Sequence, residues 1–306
     1  MRLSSLLNAW NAFFFEPQSP VPIALFRILY GSLVIANLVL LGPDWLTWFG
    51  THAWISLPTM HQVEPGTRIN LFAMIPASNA WISALFWIFL LSAAMLTAGF
   101  LTRMNSVIVF VSLASIQQRN LFITHGGDTF LRVAGFFLMF APAGAALSID
   151  RMIRLRRGKE STELKPRNPW AQRMIQIELS LLYLTAFFSK AQGAAWVNGM
   201  ALYYVYHLDE LRRFPVPDWL LNPAMLKLET WSALIIEFCL GTLVWIVEFR
   251  YYVLALGVTL HLSLEYSLNI PLFQWATLSA YVLFIDPEDL RRVAKWARLT
   301  RPVSSS

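Results

Sequence analysis

Three groups of polar side chains interrupt an otherwise apolar chain, and each has the makings of a reaction. Lys190 ends a strongly apolar stretch, Ile175 to Phe188, broken by Gln176 and Glu178. An ammonium placed there pairs with an acid, snorkels to water, or gives up its proton and becomes a base. The segment that follows, SKAQGAAWVNGMALYY (189–204), brings Trp196 between Gly193 and Gly199. That pattern suits a snorkelling anchor with an aromatic belt residue, and it equally suits the wall of a pocket. Facing a dry cavity, Lys190 would favour its neutral form and serve as a general base near neutral pH.

The second group is RNLFITHGGDTFLR, residues 119–132. Gly126 and Gly127 allow a sharp turn into a helix capped by Asp128 or Thr129, and Asp128 and Arg132 stand four apart on one helical face. A capped helix with an internal ion pair accounts for these residues. With Arg119, Asn120 and His125 beside them, however, they bring more polarity to one membrane face than a cap requires. The third group is Glu178, Glu237, His261 and Glu265, inside apolar segments. His261 and Glu265 are four apart, so one helix face would present an imidazole oriented by a carboxylate. Arg27 in the first apolar segment also needs an acid, and one of these carboxylates would neutralise it. The five histidines (52, 61, 125, 207 and 261) contain no i, i+4 pair and no HExxH, so no metal is expected. Phosphate loops, dinucleotide fingerprints and a nucleophile elbow are absent too.

The elements that must position these groups follow from composition. A chain of 306 residues that is 57% hydrophobic and 14% charged has more apolar surface than a soluble core can hide. The expected fold is all-α, a polytopic integral membrane protein with about eight transmembrane helices, the count lying between seven and nine. Spans are expected near 22–41, 80–100, 104–118, 129–148, 171–190, 230–249, 251–268 and 270–286. Residues 1–20 are expected to form an interfacial segment, 21–287 a single membrane domain with a basic loop at about 149–170, and 288–306 a basic tail ending in a disordered PVSSS. With both termini cytoplasmic, most Lys and Arg fall inside, in keeping with the positive-inside bias. Arg119, Asn120, His125, Asp128 and Lys190 then share the outward face with the aromatic connection 191–229, a composition suited to interfacial or re-entrant helices. The basic charge is placed at helix ends, which speaks for membrane lipids as partners and against nucleic acid. Cys239 is the sole cysteine, so no intrachain disulfide forms.

Five segments, ALFRILYG, HGGDTFLR, SKAQGAAWVNG, IIEFCLGTLVWI and LGVTLHLSLEYSL, resemble the horizontally transferred transmembrane (HTTM) domain family, related to vitamin K-dependent gamma-carboxylase. The similarity runs from about Ala24 to Ile285. The resemblance implies a bacterial inner membrane protein with a reduced naphthoquinone, of the vitamin K or menaquinone type, as cofactor. It further implies that Lys190 matches the lysine base that deprotonates this quinol, a match needing one extra residue between Lys190 and Trp196. His125 and Asp128 would join it in catalysis, and Arg119, Asn120, Arg132, Trp196, Glu237 and His261 would hold the cofactor. The chain departs from the carboxylase where that enzyme has asparagine and histidine before the corresponding helix: here stand Gly127 and Asp128. The carboxylase's large lumenal domain, which holds its protein substrate, is also expected to be missing, leaving that role to a separate protein substrate or partner subunit. Beside carboxylase-like chemistry stand two rivals: an amphiphile-binding or transport protein whose arginines attract an anionic headgroup, and a membrane scaffold whose polar residues only pair between helices.

Overall fold

The computed structural model describes residues 3–63 and 71–299. The expectation for the PVSSS end lies outside these residues. Among the described residues the protein is all-helical, with no strand beyond two isolated bridges, Gln18 with Arg167 and Arg212 with Leu268. The chain forms two compact units, one built from the described residues up to Ile175 together with those from Ile285, the other from Gln176–Phe284.

The first unit contains α1 (Leu3–Phe15), α2 (Val21–Leu41), α3 (Trp45–Phe49), α4 (Leu57–Val63), α5 (Leu71–Met74), α6 (Asn79–Ala98), α7 (Thr102–Arg119), α8 (Gly126–Leu138) and α9 (Ile149–Arg156). The boundary between the units falls within α10 (Trp170–Ala191). The second unit continues through α11 (Ala194–Val197), α12 (Ala201–Tyr206), α13 (Pro223–Gly241), α14 (Val247–Ser267) and α15 (Phe273–Ala280). Helix α16 (Pro287–Leu299) returns to the first unit and packs on α2.

Helices α2 and α6 are long and apolar enough to cross a membrane. They pack on each other, and α2 buries Ile23, Phe26, Tyr30, Val34 and Leu38 along one stripe with a spacing of three and four, Tyr30 donating to Leu131 O of α8. Gly31 belongs to this contact, because a Cβ there would strike Thr97 Oγ1 of α6. Helices α7, α10, α13 and α14 reach spanning length with 18, 22, 19 and 21 residues but carry more polar side chains. Two expected spans are shorter than anticipated. The one at 129–148 stops as α8 at Leu138, because the chain turns through Pro142, which has no N–H to continue a helix, and through Leu147 at φ 48°. The one at 270–286 is α15 with eight residues, started by Leu272 at φ 59° and tightened into a 3-10 turn over Tyr281–Phe284.

Arg27 shows how the first unit is tied together. It is fully buried, and its guanidinium donates to the carbonyls of Ala143 (2.8 Å), Ala146, Thr97 and Leu147. The expected acid partner is therefore corrected: carbonyl dipoles at the C-terminal end of α6 and in the 143–147 turns hold both Nη groups, while the buried Nε has no partner among the described residues. Nearby, Asp150 closes the start of α7, accepting from Leu101 N (2.8 Å), Thr102 N (2.8 Å) and Thr102 Oγ1 (2.6 Å).

In the connection after α9, Arg154 Nε donates to Glu160 at 2.7 Å, with Arg151 Nε at 3.5 Å. The Arg154 hydrogen bond holds the Glu160 carboxyl below its ordinary range. A depressed folded-state value means that this contact stabilises the loop above the unfolded value near about 4.3 and is lost as pH falls through the lower folded value. Amide protection of residues 160–163, corrected for intrinsic exchange, is expected to hold at pH 6 and to drop toward pH 3. Protection unchanged at pH 3 would show that Glu160 does not fasten the loop.

Candidate functional site

Helix α10 carries a polar stripe through the second unit. Gln176, Ser180, Tyr183 and Lys190 follow one another at intervals of four, three and seven residues, which keeps them on one face. Gln176 Nε2 donates to Leu283 O (2.7 Å), and Ser180 Oγ accepts from Trp245 Nε1 (2.9 Å). Tyr183 Oη meets His261 Nε2 at 2.6 Å and Tyr281 Oη at 2.8 Å. At the end of the stripe Lys190 forms an ion pair with Glu237 of α13.

Lys190 thus takes the first of its three options, an acid partner, and does not stand alone in a dry cavity. Its Nζ also lies 5.0 Å from the centre of the Trp196 ring, within cation–π range. Trp196 is held there by the one-turn helix α11, which opens after Gly193, while Trp231 of α13 donates to Val197 O (3.2 Å). The Glu237 side chain is 8% exposed and that of Lys190 30%. One carboxylate oxygen of Glu237 is taken by Lys190; the other, Oε2, is buried and has no partner among the described residues. A buried acceptor left open in this way is costly, and a ligand hydroxyl would satisfy it.

The second unit also has a cavity of about 440 Å3, lined among others by Leu202, Pro217, Leu220, Ala233, Ile236 and Leu260 and not by Lys190 or Glu237 themselves. Ile236 directly precedes Glu237 in α13, and Leu260 directly precedes His261 in α14. The wall mixes these apolar side chains with Tyr206, which donates to the lining carboxylate of Glu229 at 2.8 Å, and with hydroxyls such as Ser232, Thr259 and Ser263. Burial, reinforced by Glu229, pushes the Tyr206 phenol up, so it stays a donor at neutral pH.

His261 is 3% exposed. Its expected orientation by Glu265 is corrected: Gln274 of α15 meets Nδ1, while Glu265, one turn further along α14, pairs with Arg213 from the 191–229 connection. Tyr183, Tyr281 and Gln274 were not among the expected site residues. The signal for Tyr183 was available as a polar side chain seven residues before Lys190 on an apolar helix.

The expected residues of the other group belong to the first unit. His125, and not Asp128 or Thr129, is the N-cap of α8. Its Nδ1 accepts from Gly127 N (3.1 Å) while Asp128 Oδ2 accepts from His125 N (2.9 Å), a reciprocal capping box. The expected Asp128–Arg132 ion pair is absent: the carboxylate is spent on the cap and on Asn37, with Gln117 donating to the Asp128 carbonyl. Arg119 and Asn120, at 2% and 0% exposure, keep buried donors without partners among the described residues, namely Nε and Nη1 of Arg119 and Nδ2 of Asn120. Those three N–H groups would suit an anionic or carbonyl oxygen. Among the described residues no three His, Cys, Asp or Glu side chains converge as metal ligands.

The HTTM domain matches residues 15–288 of this chain, most of its length. No curated protein and no solved structure matches it.

Proposed function

The chain belongs to the HTTM domain family, and from that premise we propose that it is a membrane protein which binds a reduced lipid-soluble quinone in its second unit and removes the proton of a quinol hydroxyl with Lys190 and Glu237. The observation that carries this reading is the open, buried Oε2 of Glu237, in a unit that also holds a cavity of about 440 Å3 lined by Ile236, the residue before Glu237. A hydroxyl hydrogen-bonded to that oxygen would pass its proton to the Glu237 carboxylate, and the Lys190 ammonium on the other carboxylate oxygen would stabilise the quinolate left behind. Proton transfer between such partners needs no long-range rearrangement. The apolar walls would seat the ring and the first part of an isoprenoid tail. Trp196 holds the ammonium by its ring face and limits where Nζ can point. When bound, the quinol supplies the hydroxyl whose ionisation makes it reactive toward oxygen; the protein supplies the base, the orientation and the exclusion of water.

The membrane setting is part of the same proposal. Helices α2 and α6 would be joined as spans by α7, α10, α13 and α14, with α8 and α15 as partial crossings. Both termini and the basic connection 151–173 would lie on the cytoplasmic side of a bacterial inner membrane. In the first unit, Arg119 and Asn120 would offer their donors to an anionic or carbonyl oxygen, and Arg132 an additional positive charge there. His125 and Asp128 would serve the first unit by fixing the start of α8, since their side chains are engaged in its cap.

The test is product analysis of the purified protein incubated aerobically with reduced menaquinone, scored for the 2,3-epoxide. Epoxide is expected from the natural protein and none from Lys190→Met. Quinone binding with an intact fold but no epoxide would sink the enzymatic reading. It would favour the non-catalytic amphiphile-binding or transport protein, or the scaffold, for which the Lys190–Glu237 contact is simply an interhelical pair.

A further inference from the structure

We propose that a second cavity, of about 600 Å3 in the first unit, is a binding site for a phosphate group, carried by an anionic phospholipid or free in solution. It is independent of Lys190 and its chemistry. The cavity lies where the N-terminus of α7, the turns after α8, helix α9 and the start of α10 come together, and its polar lining is Thr102, Arg103, Asp150, Arg154, Arg167 and Asn168.

The charges in that lining do not cancel. Asp150 is the only acid there, and its carboxylate is spent on three donors of Leu101 and Thr102. Arg154 is committed to Glu160 and to Gly144 O (2.9 Å). The guanidinium groups of Arg103 and Arg167, by contrast, have no hydrogen bond or ion pair among the described residues. Arg167 is nevertheless fixed at its backbone, exchanging hydrogen bonds of 2.8 Å in both directions with Gln18. Two unspent guanidinium forks on one cavity, against one acid whose oxygens are already engaged, suit the planar oxygen pairs of a phosphate better than a diffuse cationic surface does. The remaining wall is apolar: Met139, Pro142, and Phe140 packed on Trp170 with ring centres 5.8 Å apart. Next to the arginines this wall would receive the glycerol and first methylenes of a lipid, and a tryptophan at that level is typical of a membrane interface.

The experiment is native mass spectrometry of the full chain, titrated separately with phosphatidylglycerol, with diacylglycerol lacking the phosphate, and with inorganic phosphate. Saturable binding of one phosphatidylglycerol per chain is expected, without diacylglycerol binding. The double variant Arg103→Gln/Arg167→Gln should weaken it about tenfold or more, the loss expected of a charged hydrogen bond. Arg156→Gln/Arg157→Gln, which removes the same charge from the exposed C-terminal end of α9, should stay within about twofold. Inorganic phosphate binding with the same dependence on Arg103 and Arg167, and no lipid bound, would support the phosphate site and assign it to a soluble ligand. Equal binding of diacylglycerol, or an equal loss in the Arg156→Gln/Arg157→Gln variant, would overturn the proposal. So would full binding by a double variant whose melting midpoint without lipid is unchanged. Should the double variant not fold, Arg167→Gln alone decides by the same criteria.

Discussion

Replacing Arg27 by methionine is expected to cost the protein about 3 to 5 kcal/mol, the range for removing one side of a fully buried charged network. Methionine fills much of the same volume, so the loss comes from the four carbonyls of Thr97, Ala143, Ala146 and Leu147, which lose their shared donor inside the first unit. Arg27→Lys keeps the charge but cannot span the same carbonyls with a planar fork, and its loss should be smaller. An independent check is Gly99→Ala. Gly99 sits at φ 70°, and an added Cβ would come within 2.6 Å of Arg27 Nη1 and 2.5 Å of Ser148 Cβ, so this change should disturb the same clamp from the other side. Unfolding in detergent with a common probe measures all three. A loss below about 1 kcal/mol for Arg27→Met would mean that the carbonyls find other donors, and the clamp would then not organise this unit.

The second large effect concerns Lys190 and Glu237, and it separates packing from chemistry. Lys190→Met alone leaves the buried Glu237 carboxylate without its cation. A fully buried pair broken in this way loses about 3 to 5 kcal/mol, and 30% exposure of the lysine side chain lowers the expectation to about 2 to 3. Lys190→Met/Glu237→Leu removes both charges and should regain most of that stability, giving a coupling energy of about 1 to 2 kcal/mol. Epoxide formation should be absent from both variants, including the stable one. Turnover returning together with stability in the double variant would show that the pair only holds α10 to α13.

Much of this arrangement is legible in the residues themselves. The apolar runs mark the long helices, and Lys190 stands out because no other lysine closes such a stretch. Glu237 could be named as a neighbour, but its pairing with Lys190 depends on how α10 meets α13, where Gly241 admits Leu184 (2.6 Å to its Cγ from an added Cβ). Membership of the HTTM domain family follows from short motifs spread along the chain. What is not legible is which partner a polar group chooses when several are within reach. Arg27 found carbonyls in place of an acid, and His261 found Gln274, thirteen residues ahead, in place of Glu265 on its own helix. Helix ends follow the same pattern. Pro142 and the left-handed Leu147 cut the fourth apolar run short, although its hydropathy continues. The apolar runs alone also overstate how many helices are plainly membrane-spanning, because α7, α10, α13 and α14 place polar side chains on their inner faces.

The buried row formed by Gln274, His261, Tyr183 and Tyr281 has a direction. Gln274 presents its carbonyl oxygen to Nδ1, so Nδ1 carries the hydrogen and Nε2 is left as an acceptor. Tyr183 must then point its single hydrogen at Nε2, and its oxygen receives the hydrogen of Tyr281. Every hydrogen from Tyr281 to Nε2 therefore faces the same way, and one amide at the far end sets that sense. Turning the Gln274 amide over would present an N–H to Nδ1, move the imidazole hydrogen to Nε2 and reverse both hydroxyls together. Four side chains that carry no net charge thus behave as a single two-position element, indifferent to salt and sensitive to the rotation of one bond.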